Sequence, residues 1–66
     1  MKVNEEHIMS FNPDFDEGNE ISVEVDLTKK VEQIQVMVRI DDYTIDQAKQ
    51  IVGCLNAAIK LAEGNL

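Results

Sequence analysis

Two stretches of strict alternation, separated by only a few residues, constrain this chain more than anything else in it. From Glu20 to Thr28 the apolar residues Ile21, Val23, Val25 and Leu27 alternate with Ser22, Glu24, Asp26 and Thr28. From Glu32 to Ile40 the apolar set Ile34, Val36, Val38 and Ile40 alternates with Gln33, Gln35, Met37 and Arg39. A period of two sends each set to one face of a strand, and the β-branched content suits a pleated surface. Reversal at Lys29-Lys30 pairs Val25 with Ile34, Val23 with Val36 and Ile21 with Val38, all on one face, so apolar pairing specifies the register. Lys-Lys is a poor type I′ turn, and a four-residue loop of Thr28 to Val31 keeps the same register.

Asp41-Asp42 ends the second strand, and a helix is predicted over 44–63. Thr44 with Gln47 three residues on forms a capping box, Asp46 favours the positive end of the helix dipole, and Lys60 favours the negative end. Gly64-Asn65 supply the stop. At 100° per residue, Ile45, Ala48, Ile51, Val52, Leu55, Ala58, Ile59 and Ala62 fall within an arc of roughly 140°, the face expected to cover the hairpin. Cys54, Ala57 and Leu61 fall on a separate flank that two strands do not reach. Gly53, in mid-helix, costs about 1 kcal/mol relative to Ala unless close approach of another backbone compensates.

Before the hairpin, Asn12-Pro13-Asp14 and Asp16-Glu17-Gly18-Asn19 carry loop chemistry. Ile8-Met9-Ser10-Phe11 has the composition of a third short strand, and Phe11 and Phe15, the only phenylalanines, are expected to anchor this arm on the core. The predicted fold class is therefore α+β: an antiparallel β-hairpin packed on one C-terminal helix, ββα. Residues 1–19 form an acidic arm and residues 20–66 the ββα unit of a single domain.

A chain of 66 residues buries only about 60% of its unfolded surface, and small scaffolds usually add a disulfide, a metal or a partner chain. Cys54 is the only cysteine and His7 the only histidine, which leaves neither an intrachain disulfide nor a four-ligand zinc site. Association is the remaining device. The expected homodimer interface is the flank Cys54, Ala57 and Leu61, with strand-edge pairing into a larger sheet as the alternative.

The net charge of −7 is unevenly placed. Residues 1–26 hold eight acids against Lys2, and residues 27–66 hold five acids and five bases. Such a surface argues against direct binding to nucleic acid or an anionic membrane. Lys2 is followed by Glu5 and Glu6 rather than a long apolar stretch, so a cytoplasmic protein is expected. The excess acids Asp14, Asp16, Glu17, Glu20, Glu24 and Asp26 are the candidate partner surface. Glu24 and Asp26 sit about 6.8 Å apart along one strand face, a spacing that invites comparison with a row of phosphates.

Chemistry for catalysis is missing. His7 has no fixed nucleophile beside it, Gly18, Gly53 and Gly64 make no phosphate loop, and no walled pocket separates the pKa values of paired acids. The run from Asn12 fails as a calcium loop, since Glu17 stands where glycine must turn the chain and Val23 where the bidentate glutamate belongs. No catalytic residue, metal or cofactor is expected. A small-ligand sequestrant, holding a nucleotide in a dimer cleft, would have to use Lys29, Lys30, Arg39 and Tyr43. A structural subunit of a larger assembly is the third reading.

The hairpin from Ile21 to Ile40, leading through Asp41-Asp42-Tyr43-Thr44-Ile45-Asp46-Gln47-Ala48 into one terminal helix, together with the small size and acidic charge, resembles the small acidic proteins of bacteriophages and mobile elements, including anti-CRISPR and other anti-defence inhibitors. The resemblance covers about two-thirds of the chain and is architectural. It implies a non-catalytic, stoichiometric binder, often dimeric, that blocks nucleic-acid-handling machinery or sequesters a signalling nucleotide. Ribbon-helix-helix repressors are excluded by the second strand, the single helix and the lack of a basic ribbon.

Overall fold

The structure, a computed structural model, describes residues 8–28 and 31–64. They form β1 (Ile8–Phe11), β2 (Ser22–Asp26), β3 (Gln35–Met37) and α1 (Ile45–Glu63). The three strands make an open antiparallel sheet in the order β1-β2-β3, and α1 packs on β2 and β1. The fold is the α+β arrangement expected from the alternation and the capping signals, with the third strand included.

The hairpin register is the predicted one. Val23 pairs with Val36, flanked by Ser22 with Met37 and Glu24 with Gln35. On its other side β2 pairs with β1, which places Met9 opposite Val25 and Phe11 opposite Val23 on the helix side, and Ile8 opposite Asp26 and Ser10 opposite Glu24 on the outer side. Both strands are shorter than their alternating runs, and β3 keeps only three paired residues. The reversal at Lys29-Lys30 lies outside the described residues, while Val31 just after it is buried.

The loop between β1 and β2 is tied by its own polar side chains. Asn12 Nδ2 donates to the Ile21 carbonyl at 2.9 Å, and the Asp16 carboxylate accepts from the backbone amides of Glu20 at 3.2 Å and Ile21 at 2.9 Å. Asn19 takes φ 56°, the left-handed region that Asn tolerates better than most residues. These bonds satisfy backbone donors just ahead of β2 and fix where it begins. Phe11 packs against the core as expected, whereas Phe15, expected to do the same, meets Tyr43 with ring centroids 6.0 Å apart and is not part of the core cluster.

The N-terminus of α1 is built as the sequence predicts. Thr44 is the N-cap, its Oγ1 accepting from Gln47 N at 3.0 Å while Gln47 Oε1 accepts from Thr44 N at 3.0 Å. The C-cap is Gly64, right-handed at φ −74°, with its amide donating to the Lys60 carbonyl at 3.2 Å. Asn65, the other half of the expected stop, lies outside the described residues.

The helix face differs from the expected arc. Ala58 is fully buried, and Cys54, Leu55, Leu61 and Ala62 pack against the same cluster of Val23, Val25 and Val31. Ile45, Val52 and Ile59, expected to cover the hairpin, are exposed, as is Ala48. At 100° per residue the buried face is centred on Ala58, about 70° from the centre of the expected arc. The cause is β1. A hairpin alone would draw the helix over β2 and β3, but the third strand makes β2 central, and α1 settles over β2 and β1. The side of α1 turned toward β1 is thereby covered, and the inner row of β3 is left open. Val36 is 47% exposed and Ile40 fully exposed, where the alternation had predicted both inward.

Candidate functional site

The sheet is covered by helix on one face only, and the bare face carries the acids of β2. Glu24 lies between Ser10 on β1 and Gln35 on β3, and Asp26 lies opposite Ile8. Ile8, Glu24, Asp26, Gln33 and Gln35 line an open groove there. This surface mixes hydroxyl, amide and carboxylate groups, with Glu24 on the central strand.

The six acids of the expected partner surface divide by what they touch. Asp16 accepts the two amides described above. Asp26 accepts from the Thr28 amide at 2.9 Å and from the Thr28 hydroxyl, closing the turn after β2. Glu20 is paired with Arg39. These three carboxylates hold the backbone or balance a cation. Asp14 and Glu17 sit exposed in the β1–β2 loop, and with Glu24 they form the outward-facing remainder. Sequence patterning located all six acids but did not separate the two roles; the signal available was Asp16 four residues before Glu20 in a turn-rich stretch, a spacing at which aspartate accepts backbone amides.

The groups considered for ligand contact are drawn into a cluster of their own. Arg39 bridges Glu20 and Asp41, the latter at 3.1 Å, and its guanidinium lies 6.0 Å from the Tyr43 ring centroid. Tyr43 in turn donates its hydroxyl to the Arg39 carbonyl. The hydrogen bond to Glu20, above all, holds the Arg39 pKa above its ordinary value. The cluster ties the start of β2, the end of the β3 segment and the approach to α1. Lys29 and Lys30 lie outside the described residues.

Cys54 and Leu61 of the expected dimer flank pack against the chain's own core, which corrects the premise that this flank lacks cover. Phe11, on the strand the hairpin argument omitted, reaches the same core, and Ala57 and Cys54 line a groove with Ser10, Phe11, Asn12 and Asp14. Burial pushes the Cys54 thiol pKa up, and the Asp14 charge adds to the shift. Both effects disfavour the thiolate. Gly53 has open space where a Cβ would stand, so among the described residues no backbone outside its own helix approaches it.

Among the described residues no group of His, Cys, Asp or Glu is arranged to hold a metal ion, and no helix is long and apolar enough to cross a membrane. Comparison of the chain with protein-family models, curated proteins and solved structures gives no match.

Proposed function

We propose that this protein is a non-catalytic acidic binder that acts by stoichiometric protein–protein contact through the bare face of its sheet and the adjoining β1–β2 loop. The observation that carries the reading is the division of labour among the acids. Glu24 lines the groove of the bare face with Ile8, Asp26, Gln33, Ile34 and Gln35, while Asp14 and Glu17 are exposed in the adjoining β1–β2 loop, Asp14 on its α1 side beside Gln50 and Cys54. Solvent-facing carboxylates on a strand and a tied loop favour a basic partner surface and speed its association. A protein with a phosphate-binding groove fits that chemistry, in keeping with the anti-defence inhibitors that the architecture resembles. The engagement of Arg39 and Tyr43 with Glu20, Asp41 and each other favours this over nucleotide sequestration.

The test is the triple variant Asp14→Lys/Glu17→Lys/Glu24→Lys, which touches none of the backbone-holding acids. Immobilised wild-type protein should retain a partner from cell extract at a one-to-one ratio, and added duplex DNA should compete for it. The variant should keep its circular dichroism spectrum and lose the partner. Equal retention by the variant would remove the acidic face from the mechanism.

A further inference from the structure

The opposite side of the sheet carries a surface of different character. Val36 lies opposite the buried Val23 and so points to the face on which α1 packs, yet the helix leaves it half-exposed. The exposed side of α1 is turned toward this row: Ile59 and Ala62 line a groove with Val31 and Ile34, and at the other end Tyr43 is bonded to Arg39. The helix therefore runs antiparallel to β3, and Val36, Val38, Val52 and Ile59, with Ile40 and Ile45 beyond them, form an open apolar trough, half strand edge and half helix side.

We infer that a second copy of this chain fills the trough, pairing β3 with β3 in antiparallel fashion about a two-fold axis to give one six-stranded sheet with both helices on the same face. Three observations select a second copy. First, the pattern is self-complementary. With Val36 at the axis, Ile34 stands opposite Val38 on the helix side and Gln35 opposite Met37 on the outer side, so the inner residues Ile34, Val36 and Val38 meet one another, while Ile40 beyond them stands opposite Glu32. Second, Gln33 to Val38 contains no ionisable residue in a chain of net charge −7. Two acidic copies meet there without opposed charges, and no lysine or proline blunts the edge as edge strands usually require. Third, the alternation runs from Glu32 to Ile40, but only Gln35–Met37 is regular strand, so the segment has more strand-forming residues than β2 can pair.

The area is adequate. The six partly or fully exposed aliphatic side chains of the trough correspond to apolar surface on the order of 300 Å² per copy, taking the area implied by full burial of one such side chain. A stable interface removes about 800 Å² per partner, a little over half of it apolar. Paired strand backbones and the outer-row side chains Gln33, Gln35 and Met37 have to supply the remainder. This inference does not rest on the acidic-face reading: Asp14, Glu17 and Glu24 lie off β3, and what the two surfaces share is the β3 segment Gln33, Ile34 and Gln35, which also lines the outer groove.

Sedimentation velocity of the full chain at tens of micromolar should give the dimer mass, and Val36→Lys, which places two ammonium groups at the axis, should weaken association by at least about tenfold. Should that variant not fold, cysteine pairing decides. On a Cys54→Ala background, Val36→Cys should oxidise to a covalent dimer, since directly opposed residues of paired strands bring Cβ atoms close to disulfide range, while Ile8→Cys on the same background should remain monomeric. A monomeric wild type overturns the inference. So does a dimer indifferent to Val36→Lys, or oxidation of Ile8→Cys as fast as that of Val36→Cys.

Discussion

β2 and β3 carry nearly the same pattern and end in opposite conditions. Ile21, Val23 and Val25 on or beside β2 are 0% exposed, whereas Val36 and Val38 on and after β3 are 47% and 37% exposed. Both strands alternate, both are rich in β-branched residues, and their apolar rows face the same side. What separates them is position. β2 is central, flanked by two strands and roofed by α1, and β3 is an edge from which the helix has moved away. Alternation determines which way a side chain points, and the rest of the chain determines whether anything stands over it.

The largest expected effect tests this contrast directly. Ile21→Ala should cost about 3 kcal/mol, the range for truncating a fully buried aliphatic, and in so small a domain that should leave a substantial unfolded population in urea titration at low protein concentration. Val36→Ala, measured at the same dilution, should change stability by less than about 0.5 kcal/mol. Equal losses at the two sites would abolish the distinction between the strands. Thr44→Ala should cost about 1 kcal/mol through the lost cap, read from the thermal midpoint; a smaller loss would mean that packing of α1 on β2, and not the capping box, sets where the helix begins. Gly53→Ala should raise stability by about 0.4–1 kcal/mol, because the Cβ meets open space and the helix gains propensity. A loss at Gly53 would show that another chain packs on that side of α1 and would restore the helix flank as an interface.

Much of the fold was legible because its signals were local. The hairpin register follows from alternation on both sides of one reversal, and the capping box at Thr44 and Gln47 acts within four residues. The facing of α1 was not legible in the same way. A periodic helix with apolar residues at Ile45, Val52 and Ile59 as well as at Cys54 and Leu61 has two faces that can bury, and the choice between them is made by β1, a strand of four residues whose effect is long-range. The same limit applied to the acids. Composition placed them in the first two-fifths of the chain, but whether Asp16 faces a partner or its own backbone depends on loop closure by the Asn12–Ile21 hydrogen bond. Arg39 and Tyr43 looked available in sequence because Glu20 is far from both along the chain and close to Arg39 in space.

Covering the sheet on one face only also bears on how such a protein changes over generations. Ser10, Glu24 and Gln35 lie in cross-strand register on the outer face, where no helix packs and strand alternation asks only for compatible backbone. Replacements there alter what the surface presents without disturbing Val23, Val25 or Ala58 beneath. The domain is thus divided into a layer under strict steric selection and a layer whose side chains can be exchanged at little cost to the core.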